Sequence, residues 1–393
     1  MRLSKNRWGG TKMLTGDKQT QKAGDNSQQI QAQNIYITNG IEEKRAREIF
    51  QEMFAVARRD MTQEAYEIAK GRVEVFENML IPQIEKIEGA INAFADPGFQ
   101  FELTSAHKTA AASTRKADLE LLSELLVHRI ERKDNKNVCA GISKAIEVID
   151  DIADDALRGL TVAFCVEQFV PISGNINEGL AVLNGLYKRI GVDDLPMGDE
   201  WLDHLDILNV LRFSTISSLK PFEEFMMQKL SGYSVLGINK ASVDYKTAVE
   251  LLKDSQLPVA LLCDHEWNKG FVRLSIACKS MIESMDMFYD NVMPFYAEGQ
   301  MVNGQRITSH LITEKLWEKQ KKALNIIYTL CDEKRDDQRM TNQFNSHIEE
   351  FPYLKKVQEW WNNIPAAYQI TAVGRIIANA NAKILDKGLP NMD

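Results

Sequence analysis

Apolar residues recur at spacings of three and four from Val73 through Phe76, Leu80, Ile84, Ile87 and Ile91 to Phe94. That period lays them along one face of a helix. It predicts a single helix from about Thr62 to Ala95, roughly 50 Å long at the usual rise per residue. Thr62 is placed to cap it, Gln63 and Glu64 favour its first turn, and Asp96-Pro97-Gly98 should end it. Pro82 should kink it, since proline lacks the N–H that the helix ladder needs.

The same period continues downstream. Residues 103–133 predict one helix, alanine-rich first and then carrying Leu119, Leu121, Leu122, Leu125, Leu126 and Ile130. Helices near 138–150, 154–170 and 176–190 follow, separated by Asp150-Asp151, Pro171–Asn175 and Gly191. Short breaks between such segments make antiparallel neighbours, so this part reads as a bundle. Trp201 to Leu211 predicts a further helix, Arg212–Ile216 a strand, and Pro221 the start of a helix reaching Leu230. Tyr245–Leu252 reads as helix and Leu257–Cys263 as strand, while Phe271 to Met287 has helical spacing and methionines suited to core packing. Leu311, Leu316, Ala323, Leu324, Ile327, Tyr328 and Cys331 form a stripe opposite several lysines, a surface bundle helix. Tyr368–Ile370 then reads as a short extended piece, Thr371 as an N-cap, and the following residues as a closing helix.

The segment before these helices is different. Gly16-Asp17-x-x-x-Gln21 and Gly24-Asp25-x-x-x-Gln29 repeat one pattern eight residues apart, and each Gly-Asp is a turn signal. Ile30/Ala32 and Ile35/Ile37 alternate at a period near two, so short polar strands join the turns. Two such strands bury too little to stand alone, whereas glutamine-rich strands of low charge stack on copies of themselves. Gln28, Gln29, Ile30, Gln31, Ile35, Tyr36 and Ile37 are therefore the candidate self-association residues.

The fold class expected is mainly α: a helical bundle with a short N-terminal β segment and a small mixed α/β region. The divisions expected are 1–40, a basic tail and self-association segment; 41–98, long helices forming a stalk or bundle arm; 99–210, the bundle; 211–300, the mixed region; and 301–393, a C-terminal helical region. Apolar runs such as Val162–Val166 fall far short of a bilayer span, and residues 1–15 lack the apolar stretch of a secretory signal. Five widely separated cysteines suit reduced thiols, and a cytoplasmic location is expected. A net charge of −8 disfavours nucleic acid as a partner of the whole molecule. Only residues 1–22, with six Lys/Arg against Asp17, offer a basic end, on which a nucleic-acid binder is an alternative function.

Three features bear on chemistry. Asp150-Asp151-Ile152-Ala153-Asp154-Asp155 would, on one helix, set carboxylates on a common face, as enzymes that hold diphosphate through Mg²⁺ do. Asp150, Asp151 and Asp154 are thus an alternative metal set for a hydrolase or transferase. The competing reading has Asp150 and Asp151 close one helix while Asp154 and Asp155 open the next, and it is the one expected here. Cys263-Asp264-His265-Glu266 resembles a ligand cluster, but adjacent residues diverge and no paired Cys/His spacing accompanies it. No phosphate-binding glycine loop of either standard pattern occurs, so no catalytic residue, metal or cofactor is assigned.

Gly-Asp-Asn-Ser-x-Gln-Ile-Gln-Ala-x-x-Ile-x-Ile at Gly24–Ile37 is similar to N-terminal segments of bacterial proteins linked to antiphage defence. Leu119–His128, Ile142–Glu147 and Ala153-Asp154-Asp155-Ala156-Leu157 resemble helical proteins of the abortive-infection alpha type, as does the closing Ile370-Thr371-x-x-Gly374-Arg375-x-x-Ala378. The resemblance implies a self-assembling, non-enzymatic sensor or scaffold of antiphage defence. Its expected partners are copies of itself and a phage protein or another defence component. It carries over no active site.

Overall fold

The computed structural model describes residues 62–389, apart from 215, 285, 289–300, 303–304, 307–312, 316 and 334–336, together with residues 44, 47, 48 and 51. The chain divides into two compact units, Met1–Asn39 and Gly40–Asp393. The candidate self-association residues Gln28–Gln31 and Ile35–Ile37, like the basic end, lie outside the described residues. The described chain is mainly α-helical, with small antiparallel sheets of two or three strands. Among the described residues no helix is long and apolar enough to cross a membrane.

Helix α1 (Gln63–Ile84) starts at Thr62, whose hydroxyl accepts from the Ala65 N–H, and buries Val73, Phe76, Leu80 and Ile84. It does not run on to Ala95. Pro82 lies in its last turn, Gly89 takes a left-handed conformation at φ 73°, and only one further helical turn follows, Ile91–Phe94. The helix expected over 103–133 is likewise two. α2 (Pro97–Ala112) and α3 (Lys116–Glu131) meet at a corner where the Ser113 hydroxyl donates to Asp118 and accepts from the Arg115 N–H. A serine bonded to backbone and side chain beyond its own helix stabilises the extended corner over a continued helix.

α4 (Lys136–Val148), α5 (Asp154–Gln168) and α6 (Ile176–Ile190) complete the first half. Leu160, Val162, Phe164, Cys165 and Val166 cover most of the circumference of α5, and all are fully buried, because α5 runs through the centre of the large core. α7 (Glu200–Ile207) is shorter than its apolar pattern suggested: Asn209, at φ 60°, turns the chain so that Leu211 enters a strand. That strand, β1 (Leu211–Ser214), is followed by α8 (Phe222–Lys229).

The mixed region holds a second core. β2 (Ile238–Asn239), β4 (Phe271–Leu274) and β3 (Leu262–Asp264) form an antiparallel sheet in the order β2-β4-β3. It packs with α9 (Val243–Asp254) and α10 (Glu318–Asp332) around Leu252, Val272, Leu274, Leu324, Ile327 and Cys331. Three expectations change here. Residues 271–287 supply β4 and one helical turn, Met281–Ser284, in place of a helix. The stretch expected as strand over 257–263 holds a tight 3-10 turn at Val259–Leu261 before β3. Within the stripe expected as helix from Leu311, Thr313–Lys315 is a strand paired with Asp286–Phe288, and α10 begins only after Trp317. Apolar spacing alone does not separate a helix face from a strand or a turn that buries the same residues.

α11 (Asp337–Ile348), α12 (Pro352–Asn362), β5 (Ala367–Ile370) and α13 (Ala372–Leu385) return to the large core. β5 pairs antiparallel with β1, Leu211 opposite Ile370. Thr371 caps α13, its hydroxyl accepting from the Gly374 N–H at 3.1 Å, as the sequence signal implies. Gly374 presses so closely on the Val210 carbonyl that a Cβ there would lie 2.1 Å from the oxygen. α13 packs against α3, α4 and α5, so the last helix seals a core begun in the first half.

Candidate functional site

Among the described residues, buried polar groups converge between the segment Asp264–Asn268 and helix α11. This loop–α11 junction includes the run Cys263-Asp264-His265-Glu266, but not as a metal cluster. Asp264 is exposed and pairs with Lys240 at 2.5 Å. His265 is buried; its Nε2 donates to the Val235 carbonyl at 2.9 Å, and its Nδ1 accepts from the Trp267 N–H at 3.1 Å. A ring nitrogen facing a carbonyl must carry the proton, which fixes the neutral tautomer. Burial lowers the pKa of His265 in the same direction. Among the described residues no group of three His, Cys, Asp or Glu is placed to hold a metal ion.

Glu266 points to a different partner. Its carboxylate accepts from the fully buried Arg273, at 2.9 and 2.7 Å, and from the Ile176 N–H at 2.9 Å. Burial pushes its pKa up, yet the Arg273 fork and the Ile176 N–H outweigh that and hold the carboxyl below its usual value. Arg273 also donates to the carbonyls of Leu274 and, at 2.6 Å, of Gly174, and lies over the Tyr233 ring. The Tyr233 hydroxyl donates to the Ser173 carbonyl. Gly174 is needed there, since a Cβ would fall 2.1 Å from the Ser275 hydroxyl. The loop before α6 is thereby fastened to the three-stranded sheet.

Asn268 continues the array. Its Nδ2 donates to the Leu236 carbonyl at 3.0 Å, so its Oδ1 is the acceptor that faces α11. Arg339 at 2.7 Å and the Gln343 Nε2 at 3.2 Å donate to it. That polarity turns the Gln343 Oε1 away, buried and without a hydrogen-bond partner among the described residues. The Trp267 indole lies parallel to His347, centroids 4.8 Å apart, and edge-on to Phe344. The Trp267 Nε1 and the His347 Nδ1 are also buried without such a partner. The face of α11 that carries Gln343 has a shallow hollow of about 460 Å³ lined by Gln338, Arg339, Asn342, Gln343 and Ser346.

The acidic run lies elsewhere. Ile149–Asp151 is a 3-10 turn closing α4, and Asp154 and Asp155 open α5, so the three candidate carboxylates do not share one helix face. Arg115 reaches Asp154 at 2.6 Å, Asp118 at 2.7 Å and the Ile149 carbonyl, drawing this junction together around a cation. Burial lifts the Asp150 carboxyl. Sequence reasoning missed Arg115, Arg273 and Asn268, each of which has at least one partner distant in the chain: Asp154, Gly174 and Arg339 respectively. It also missed Lys229, which burial lowers to about 8, opposed by nearby Glu167, itself raised by burial.

A cleft of about 700 Å³ opens between α1, α3 and α13, with Met79 and Ile384 on its walls and the Lys383–Glu124 pair at 3.5 Å across it. A family model with the description ":-like" matches residues 40–269, more than half of the chain. No curated protein and no solved structure matches it.

Proposed function

The chain belongs to that family; on the sequence resemblances carried by Gly24–Ile37 and Ile370–Ala378 we propose that it is a self-assembling, non-enzymatic sensor or scaffold protein of bacterial antiphage defence, of the abortive-infection type. The observation that carries the reading is the division at Asn39/Gly40. The sequence stretch that carries the repeated Gly-Asp pattern falls within the first unit, as suits a separate assembly element. The charged constellations of the body also fit a binding role. Arg273–Glu266 and Arg129–Glu102 are paired charges enclosed between elements, and Arg115 joins the start of α3 to Asp154 at the start of α5. The hollow at the loop–α11 junction is the candidate sensing surface, and a phage protein or another defence component the candidate partner of the assembled form. A cytoplasmic location accompanies the proposal, in keeping with five free cysteines.

The test is the mass in solution of the full chain beside a chain lacking residues 1–39. The full chain should form a larger assembly, and the shortened one should remain folded at lower mass. Equal mass for both would remove self-assembly through this segment. Ile35→Asp with Ile37→Asp should act like the deletion, because charge in a dry stack is costly.

A further inference from the structure

We infer that the cleft between α1, α3 and α13 binds a small amphiphilic anion, an apolar body carrying one carboxylate or phosphate. Such binding goes beyond the sensor reading and does not rest on it. Charge is divided unevenly around the cleft's space of about 700 Å³. Both acidic residues of its lining have a lysine partner. Glu124 faces Lys383 at 3.5 Å, and Glu120 meets Lys116 within α3 at 3.3 Å. Lys86, just past α1, and Lys387, just past α13, also line the cleft, and both are exposed. Among the described residues neither has an ion pair, and Asp386, next to Lys387 in sequence, is held by Arg189 at 2.6 Å.

The same lining includes Met79 of α1, Ile384 of α13 and Leu389. Each is half-buried, packed on the large core with part of its surface left to the cleft. Gln83, between Met79 and Lys86 in sequence, is turned to its own helix, its Nε2 donating to the Met79 carbonyl at 2.9 Å. Apolar surface that stays wet in a concavity is covered at a gain by an apolar ligand body, and spaces between helices of a bundle are where small molecules bind. Two ammonium groups without a counter-charge raise the potential of that space and favour an anion. A bare carboxylate or phosphate would leave the three apolar side chains wet. A neutral hydrocarbon would leave the two lysines unanswered. An amphiphilic anion meets both.

The test is calorimetric titration of the full chain with octanoate and, separately, octyl phosphate, beside octanol, which lacks the charge, and acetate, which lacks the body. Binding of octanoate alone assigns a carboxylate, and of octyl phosphate alone a phosphate monoester. Binding of both assigns a site that reads charge and chain without choosing the head group. Octanol and acetate should bind roughly tenfold more weakly, or less. Lys86→Gln with Lys387→Gln should weaken binding of the anion roughly tenfold, the worth of two exposed ion pairs. The melting temperature should stay unchanged, since both side chains are exposed. Absence of binding by both anions at millimolar concentration overturns the inference, as does equal binding by octanol, by acetate or by the double-lysine variant. The mass measurement on the chain lacking residues 1–39 is independent, so either reading can fail alone.

Discussion

Arg273 and Glu266 form a two-pronged pair, at 2.9 and 2.7 Å, where the three-stranded sheet meets the loop that enters α6. The arginine is wholly enclosed and its remaining N–H groups reach the Leu274 and Gly174 carbonyls. Removing one member of such a pair leaves the other charge enclosed and unbalanced. Arg273→Met should therefore cost about 3–5 kcal/mol in denaturant unfolding. Arg273→Met with Glu266→Gln should recover part of that loss. Because Glu266 is held below its ordinary pKa of 4.5, the native state binds its proton less readily than the unfolded chain. The stability it contributes is complete above pH 4.5 and lost as pH falls through the depressed value. Glu266→Gln should flatten that acid limb.

Lys229 titrates in the opposite sense. Its folded value of about 8 lies below the 10.5 of a free lysine, so between those values the unfolded chain carries more protons. Unfolding free energy should rise with pH from about 8, until the raised thiols of Cys165 and Cys331 begin to subtract above pH 9. Lys229→Met should remove the rise between pH 8 and 9 and add on the order of 1 kcal/mol at pH 7. Chemical unfolding at pH 7, 8 and 9 measures both.

The corner between α2 and α3 separates two kinds of ion pair. Asp118 is 1% exposed and depends on Arg115, whereas Asp154 is largely in solvent. Arg115→Ala should cost about 3–5 kcal/mol by stranding Asp118. Asp154→Asn should cost under about 1 kcal/mol. Asp151→Asn should leave both stability and Mg²⁺ binding unchanged, which calorimetry with Mg²⁺ checks.

Two glycines in helices give opposite outcomes. At Gly374 a methyl group would strike the Val210 backbone, so Gly374→Ala should lower the melting temperature by several degrees and loosen the β1–β5 pair. Around Gly71, in the exposed part of α1, a Cβ meets nothing within 4 Å. Gly71→Ala should stabilise by about 0.5–1 kcal/mol, the helix preference of alanine over glycine. Thermal melts of the two variants side by side decide it.

Much of this architecture was legible in the sequence because it is local. Thr62 and Thr371 announced their helices through a hydroxyl one turn from the N–H groups they cap, and Asp150–Asp155 behaves as the helix junction its spacing suggests. The failures share one cause. Ser113 breaks a helix because of Asp118 and the corner around Arg115, and Phe271–Leu274 is a strand because β2 and β3 flank it. Apolar period reports neither side-chain hydrogen bonds nor strand pairing. The candidate site was half visible: His265 and Glu266 stood out by residue type, but for a metal role that their divergent directions exclude. Asn268, Gln343 and Trp267 gave no signal, because their meaning arises from hydrogen-bond polarity across 75 residues of chain between Asn268 and Gln343.

The position of α13 bears on how the protein is made. Leu122, Leu125 and Phe164 belong to a core whose sealing helix runs from Ala372 to Leu385. During synthesis those side chains leave the ribosome long before their cover does. Until then the nascent chain holds greasy helices with an open flank, so consolidation of this core waits for residues 372–385 to emerge. A message cut short before codon 372 would yield a product exposed to chaperones and proteases, however intact its first two hundred residues.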